Sequence, residues 1–172
     1  FLREGVGIDE PISAMPGQSR MSVDVLLKKL EDVVESGVGG VLLFGLTDPA
    51  NKDAKGSEAW SDDGTVQLAI SLIKMEFPDL TVFTDVCLCA YTDHGHCGAL
   101  NANGEVDNDA SLALLQKIAV SHAAAGADCV APSAMMDGQV LAIREALDDA
   151  NLMDTLLMSY STKFASSMYG PF

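Results

Sequence analysis

Residues 80–97 read LTVFTDVCLCAYTDHGHC, an apolar, β-branched run that closes on a cluster of cysteines and histidines. Three other runs have the same form: 38–45 (VGGVLLFG), 128–133 (DCVAPS) and 155–161 (TLLMSYS). Helical patterns separate them over 22–36, 62–76, 108–125 and 138–150. Ser22, Ser61, Asp107 and Asp137 are the expected N-caps, and Gly37 and Gly126 stand where helix-ending glycines belong. Phe1 and Leu2 read as the end of an earlier strand, and 9–20 (DEPISAMPGQSR) as an ordered loop.

The strand runs are apolar almost throughout, as expected when helices cover one face of a sheet and a packed core fills the other. This is an α/β grammar of a parallel sheet or barrel. Four or five βα units fit a doubly wound sheet or part of a (β/α)8 TIM barrel, which needs eight strands and about 250 residues. The abrupt ends, Phe1 without a preceding Met and Phe172 after Tyr-Gly-Pro, favour the partial barrel. Residues 1–172 are then expected to form one partial catalytic domain. Nearly every reactive residue falls at or just past a strand's C-terminal end, where parallel α/β folds place their active sites.

Composition bounds the partners. The chain has 172 residues, 48% of them apolar, enough for one real core. A net charge of -15, spread along the chain, argues against nucleic acid or an anionic membrane as a partner. No apolar run approaches bilayer length and no secretory layout opens the sequence, so a cytoplasmic setting is expected. Three of the four cysteines lie within 87–97, and a Cys-x-Cys pair is poor geometry for a mutual disulfide.

Metal is the alternative. Cys87, Cys89 and Cys97 supply three soft ligands from one strand end and its loop, which suits zinc. A structural site would take a fourth ligand from His94, His96 or the distant Cys129; an open fourth position would make the site catalytic. The competing reading is cysteines without metal, with His94 and His96 as loop polarity or outer hydrogen-bonding partners. Asp85, two residues before Cys87, shares its face of the strand. Ser133 ends the next strand, with Met135 and Met136 behind it as packing residues. Lys163 lies just beyond the last strand between aromatics, where desolvation or a neighbouring cation would favour a neutral, nucleophilic amine.

Three motifs, DVCLC with HGHCG in 85–98, APSAMMDG in 131–138 and MSYSTKFASSMYGPF in 158–172, in this order and spacing closely resemble the porphobilinogen synthase (5-aminolevulinate dehydratase) family. SAMPG at 13–17 and LLFG at 42–45 followed by KDAKGS at 52–57 extend the resemblance over essentially the whole chain. It implies a (β/α)8 enzyme, a hydro-lyase that condenses two molecules of 5-aminolevulinate to porphobilinogen with loss of two waters, in tetrapyrrole and heme biosynthesis. Under it, Cys87, Cys89 and Cys97 match the ligands of a catalytic Zn2+, and Lys163 matches the first of two Schiff-base lysines. Asp85 and Ser133 match residues that contact the substrate amino group, and Tyr160, Tyr169 and Phe172 match positions around the substrate cavity.

The resemblance also marks what the chain leaves out. The second lysine, the cations that bind substrate carboxylates and an allosteric Mg2+ site lie downstream, and the N-terminal arm and the C-terminal half of the barrel are absent. The family's homo-octamer is therefore doubtful for the 172 residues alone, and they are expected to be inactive by themselves. Ala134 and Gln139 replace the Asp and Arg of many members, at positions without proposed chemistry. Two rivals remain open: a class I aldolase-like Schiff-base lyase, which leaves the cysteines unexplained, and a non-catalytic zinc-binding or assembly module.

Overall fold

A computed structural model describes residues 1–163; Tyr169 and Phe172, expected in the substrate cavity, lie outside them. Strands β1 (Leu2–Arg3), β2 (Asp9–Pro11) and β3 (Ser19–Met21) precede helix α1 (Val23–Glu35). Then follow β4 (Gly40–Leu43), β5 (Gly45–Leu46), α2 (Thr65–Glu76), β6 (Thr81–Val86), α3 (Asn108–Ala124), β7 (Cys129–Pro132), α4 (Gln139–Asp149) and β8 (Leu156–Leu157).

The strands form two ladders, β2-β3-β1-β5 and β4-β6-β7-β8. One run of chain joins them: its first half, β4, pairs with β6, and its second half, β5, pairs with β1. Phe44, between the halves, accepts the Leu2 amide at 2.7 Å and stacks on Phe1 at 5.2 Å. Every pairing is parallel except the β2–β3 hairpin. Among the described residues the sheet does not close on itself.

Burial fixes the register. Along β6, Val82, Thr84 and Val86 are fully buried while Thr81, Phe83 and Asp85 are not. A slip of one residue would turn the buried set to the wrong face. Each fully buried valine contributes about 2 kcal/mol, so the pattern outweighs any single ladder hydrogen bond at about 1 kcal/mol. On the helix side, one cluster joins Val86 and Val130 to Leu115, Ile118, Ile143 and Leu147 of α3 and α4. A second joins Leu43 and Val82 to Leu30 of α1 and Ile70 and Ile73 of α2. The opposite face is open rather than packed: Leu156 is 63% and Met158 48% exposed.

The helices lie where the periodicity puts them, and Gly37 and Gly126 follow α1 and α3 with φ of 85° and 109°. Two caps are corrected. A 3-10 turn, Ser57–Trp60, draws the chain in before α2, so Gly64 rather than Ser61 precedes the helix. Gly138 rather than Asp137 precedes α4, and the Asp137 amide donates to Asn108 Oδ1 at 2.8 Å. Asp107 caps α3 through the Ala110 amide, and Ser22, at the start of α1, instead accepts the Ile8 amide. The stretch 9–20 is largely a hairpin rather than a loop. Asp9, Glu10 and Pro11 pair with Met21, Arg20 and Ser19. The fourth strand is only Leu156–Leu157, although Met158 N to Val130 O and Tyr160 N to Pro132 O carry the pairing on. Met136, in the loop after β7, packs into the core as expected, but its neighbour Met135 is 82% exposed. No helix among the described residues is long and apolar enough to cross a membrane.

His122, near the end of α3, is 1% exposed in this core. Burial pushes its imidazole down to about 4, outweighing a weak interaction with the Ala59 carbonyl. The fold therefore holds it neutral. As pH falls from about 6.5 towards 4, the unfolded chain takes up a proton that the folded chain refuses, and stability drops by about 3 kcal/mol. Chemical denaturation at pH 7 and pH 4.5 should show this loss, and His122→Leu should flatten it.

Candidate metal and lysine site

The parallel register of β6 and β7 brings their C-terminal ends level. Asp85 pairs with Ala131 and Val86 with Pro132, so the next residues, Cys87 and Ser133, emerge side by side. The continuation of β8 carries Tyr160 and Lys163 to the same end. A cleft of about 240 Å³ there is lined by Asp85, Cys87, Cys89, Ser133, Tyr160 and Lys163. All six site residues expected within the described region besides Cys97 thus share one cavity, and Cys97 touches it through the sulfur cluster.

The sulfurs of Cys87, Cys89 and Cys97 lie within 4.8 Å of one another, with Cys87 and Cys89 at 3.5 Å. Thiolates bound to zinc at about 2.3 Å in a tetrahedron stand about 3.8 Å apart, so the donor set fits such an ion. Electrostatics agree. Cys87 is pushed up to about 12 by its hydrogen bond with Cys89 and by burial. Cys89 is pulled down by Cys87, but Cys97 and burial win and carry it up to about 11. Cys97 reaches about 11 through its bond with Cys87 and through burial. Three ionised thiols cannot coexist here unaided; a bound divalent cation is the group that would stabilise them. All four cysteines are free thiols, and Cys129, buried in β7, is not part of the cluster.

His94 and His96 stay outside the sulfur group. His94 Nε2 lies 3.3 Å from the Ala54 carbonyl, and its Nδ1 accepts the His96 amide at 3.1 Å. Their expected part as polar loop residues matches these contacts.

Lys163 Nζ donates to the Ser133 carbonyl at 2.8 Å and sits 5.9 Å from the centre of the Tyr160 ring. The lysine is exposed rather than desolvated. Asp85 is the buried partner. Burial pushes its carboxyl up to about 6, against the pull of the Ser133 hydroxyl and the charge of Lys163. Its Oδ1 is buried without a hydrogen bond among the described residues. An amine, a carboxyl able to exchange protons near neutrality and a three-thiol group that could hold a metal ion therefore share one cleft, groups suited to carbonyl condensation chemistry.

Some of the site escaped the sequence. Tyr91 has its hydroxyl end buried against Gly45, where an added Cβ would meet that hydroxyl and a Val66 methyl. Burial, then the nearby Asp85, pushes the Tyr91 phenol up. A second cleft of about 450 Å³ shares Leu46, Cys89 and Ala90 with the first. Arg3 and Arg20 line it, both ion-paired to Glu10, at 2.8 and 3.2 Å. Only the hairpin, read as a loop, could have signalled this wall.

The family model described as delta-aminolevulinic acid dehydratase matches residues 1–172. The delta-aminolevulinic acid dehydratase of Ruminiclostridium josui is 49% identical over 172 residues, all of this chain and 82% of that protein. The Escherichia coli K12 protein of the same name is also 49% identical over 172 residues, covering 52% of its length. Among solved structures, the Toxoplasma gondii ME49 delta-aminolevulinic acid dehydratase (porphobilinogen synthase), in complex with the reaction product porphobilinogen, superposes with a TM-score of 0.95 at 41% identity. That match covers 99% of this chain and 49% of the other. The chain thus spans about half the length of the Escherichia coli and Toxoplasma proteins. With a family match along its entire length, the chain belongs to the delta-aminolevulinic acid dehydratase family.

Proposed function

We propose that this chain carries the metal and first-lysine half of a zinc-dependent porphobilinogen synthase, which condenses two 5-aminolevulinate molecules to porphobilinogen with loss of two waters. The observation that carries the reading is the convergence of Lys163, Asp85 and the three-cysteine cage on one cleft. In this reading the parallel sheet is part of a (β/α)8 barrel whose remaining strands cover the open inner face at Leu156 and Met158. Residues 1–172 belong to its catalytic domain, within a homo-oligomer such as the octamer the family resemblance implies.

Lys163 is the nucleophile. Its amine attacks the ketone carbon of one substrate, forming a C–N bond, and the hydroxyl leaves as water to give a Schiff base. Asp85, in the same cleft, is the carboxyl placed to supply the proton that departing hydroxyl needs. The Schiff base then withdraws electrons from the adjacent carbon, which prepares it for carbon–carbon bond formation. Ser133, whose carbonyl anchors Lys163, and Asp85 hold the substrate amino group, while Tyr160, with Tyr169 and Phe172, encloses it. Cys87, Cys89 and Cys97 hold zinc, which supplies Lewis-acid polarisation of the second substrate when bound. An aldolase-like Schiff-base enzyme would leave the cysteine cage without a task.

Two measurements on the full-length protein test this. Borohydride reduction in the presence of 5-aminolevulinate should attach substrate to the Lys163 peptide. Lys163→Ala should lose that adduct, and sugar phosphates should give none with the parent protein. Chelation should abolish porphobilinogen formation, and zinc should restore it. Cys89→Ala should lower activity by about a hundred-fold or more, in line with loss of a few kcal/mol of metal-derived stabilisation. Full activity in a metal-free sample would overturn the zinc assignment.

A further inference from the structure

Cys87 directly follows the last residue of β6 and Cys89 stands in the turn just after it, but Cys97 must be carried back to them by the longer loop that follows. The order of that loop decides how readily three sulfurs meet. Thr92 lies at its centre, 1% exposed. Its amide donates to the Leu88 carbonyl at 3.0 Å, and its hydroxyl donates to the His96 carbonyl at 2.9 Å, the peptide that precedes Cys97. One buried residue therefore ties the start of the loop, through its amide, to its return, through its hydroxyl.

The segment between β5 and α2 clamps this turn from outside. Asp53 forms a parallel bridge with Thr92, and its carbonyl accepts the Asp93 amide at 3.1 Å. The Asp53 carboxylate is itself fastened to the Lys55 amide at 2.8 Å, the Ser57 amide at 3.1 Å and the Ser57 hydroxyl. Gly56, at φ +68°, lets the clamp close: Leu88, Tyr91 and Thr92 crowd its bare Cα so tightly that a Cβ would meet them at 3.1 to 3.4 Å. The Ala54 carbonyl reaches His94 on the same side.

We propose that residues 52–57 are a clasp for the metal loop and that Thr92 is a positioning residue for metal binding, holding Cys97 in place before the ion arrives. The inference rests on the zinc reading of the cysteine cage. Its physical content is entropic: a free loop would have to be ordered at the expense of binding free energy, whereas this one is ordered by hydrogen bonds that none of the ligands makes.

The test measures zinc dissociation constants by competition with a chromophoric chelator in the full-length protein, alongside the thermal midpoint without metal. Thr92→Val, which keeps the shape and removes the hydroxyl, should raise the constant about five-fold, the equivalent of one net hydrogen bond lost from the ordered loop. Thr92→Ser should restore near-parental affinity. Cobalt-thiolate absorption bands of Thr92→Val should keep their energies, because the ligand set is unchanged. If Thr92→Val fails to fold, Asp53→Ala carries the same expectation. Parental zinc affinity in the folded variant overturns the clasp and leaves the metal site standing. A parent protein that takes up no zinc overturns the metal reading and the clasp with it.

Discussion

The in-register parallel pairing of β6 with β7 is the constraint on which the rest depends. Because Asp85 lies opposite Ala131 and Val86 opposite Pro132, the two strands end at the same height. Parallel pairing also points every chain direction alike, so all the loops that follow strands gather at one end. The site is the sum of those loops. An antiparallel partner for β6 would have set Ser133 at the far end of the sheet from Cys87, and no side chain is long enough to recover that distance.

The two faces of the sheet divide the labour. The helix side, with Val82, Val86 and Val130 fully buried, supplies the packing that holds the strands in register. The other side is nearly free of such obligations and carries the chemistry: Asp85 and Cys87 share it by strand alternation, with Lys163 reaching across from the continuation of β8. Burial also tunes that chemistry. Burial raises the Asp85 carboxyl, while the Cys87 and Cys97 thiols are raised first by the hydrogen bonds among the sulfurs and then by burial. The buried corner around Asp85 and the sulfurs favours neutral groups until something positive enters it.

Much of this was legible in the sequence, for identifiable reasons. The four helices and the course of β6 announced themselves because burial on one side imprints periodicity on residues such as Val23, Leu26, Leu27 and Leu30. The cysteine cluster was readable because its three thiols are close in sequence. The hairpin at Asp9–Met21 was not, since two three-residue strands with no buried residue in β2 leave no alternating pattern. The caps at Gly64 and Gly138 were missed because Ser61 and Asp137 are better cap residues whose local partners lay elsewhere. The clamp of Asp53 on Thr92 and the fit of Tyr91 to Gly45 join segments distant in sequence, and neither leaves a periodic trace.

The fit at Gly45 imposes an order on how this sequence can drift. A methyl group at that position would land on both the Tyr91 hydroxyl and a Val66 methyl, one from the metal loop and one from α2. Alanine there becomes tolerable only after both neighbours have been made smaller, whereas either neighbour can shrink while the glycine stays. The glycine is therefore the last of the three free to change, and related sequences that have lost it should already differ at both of the other positions.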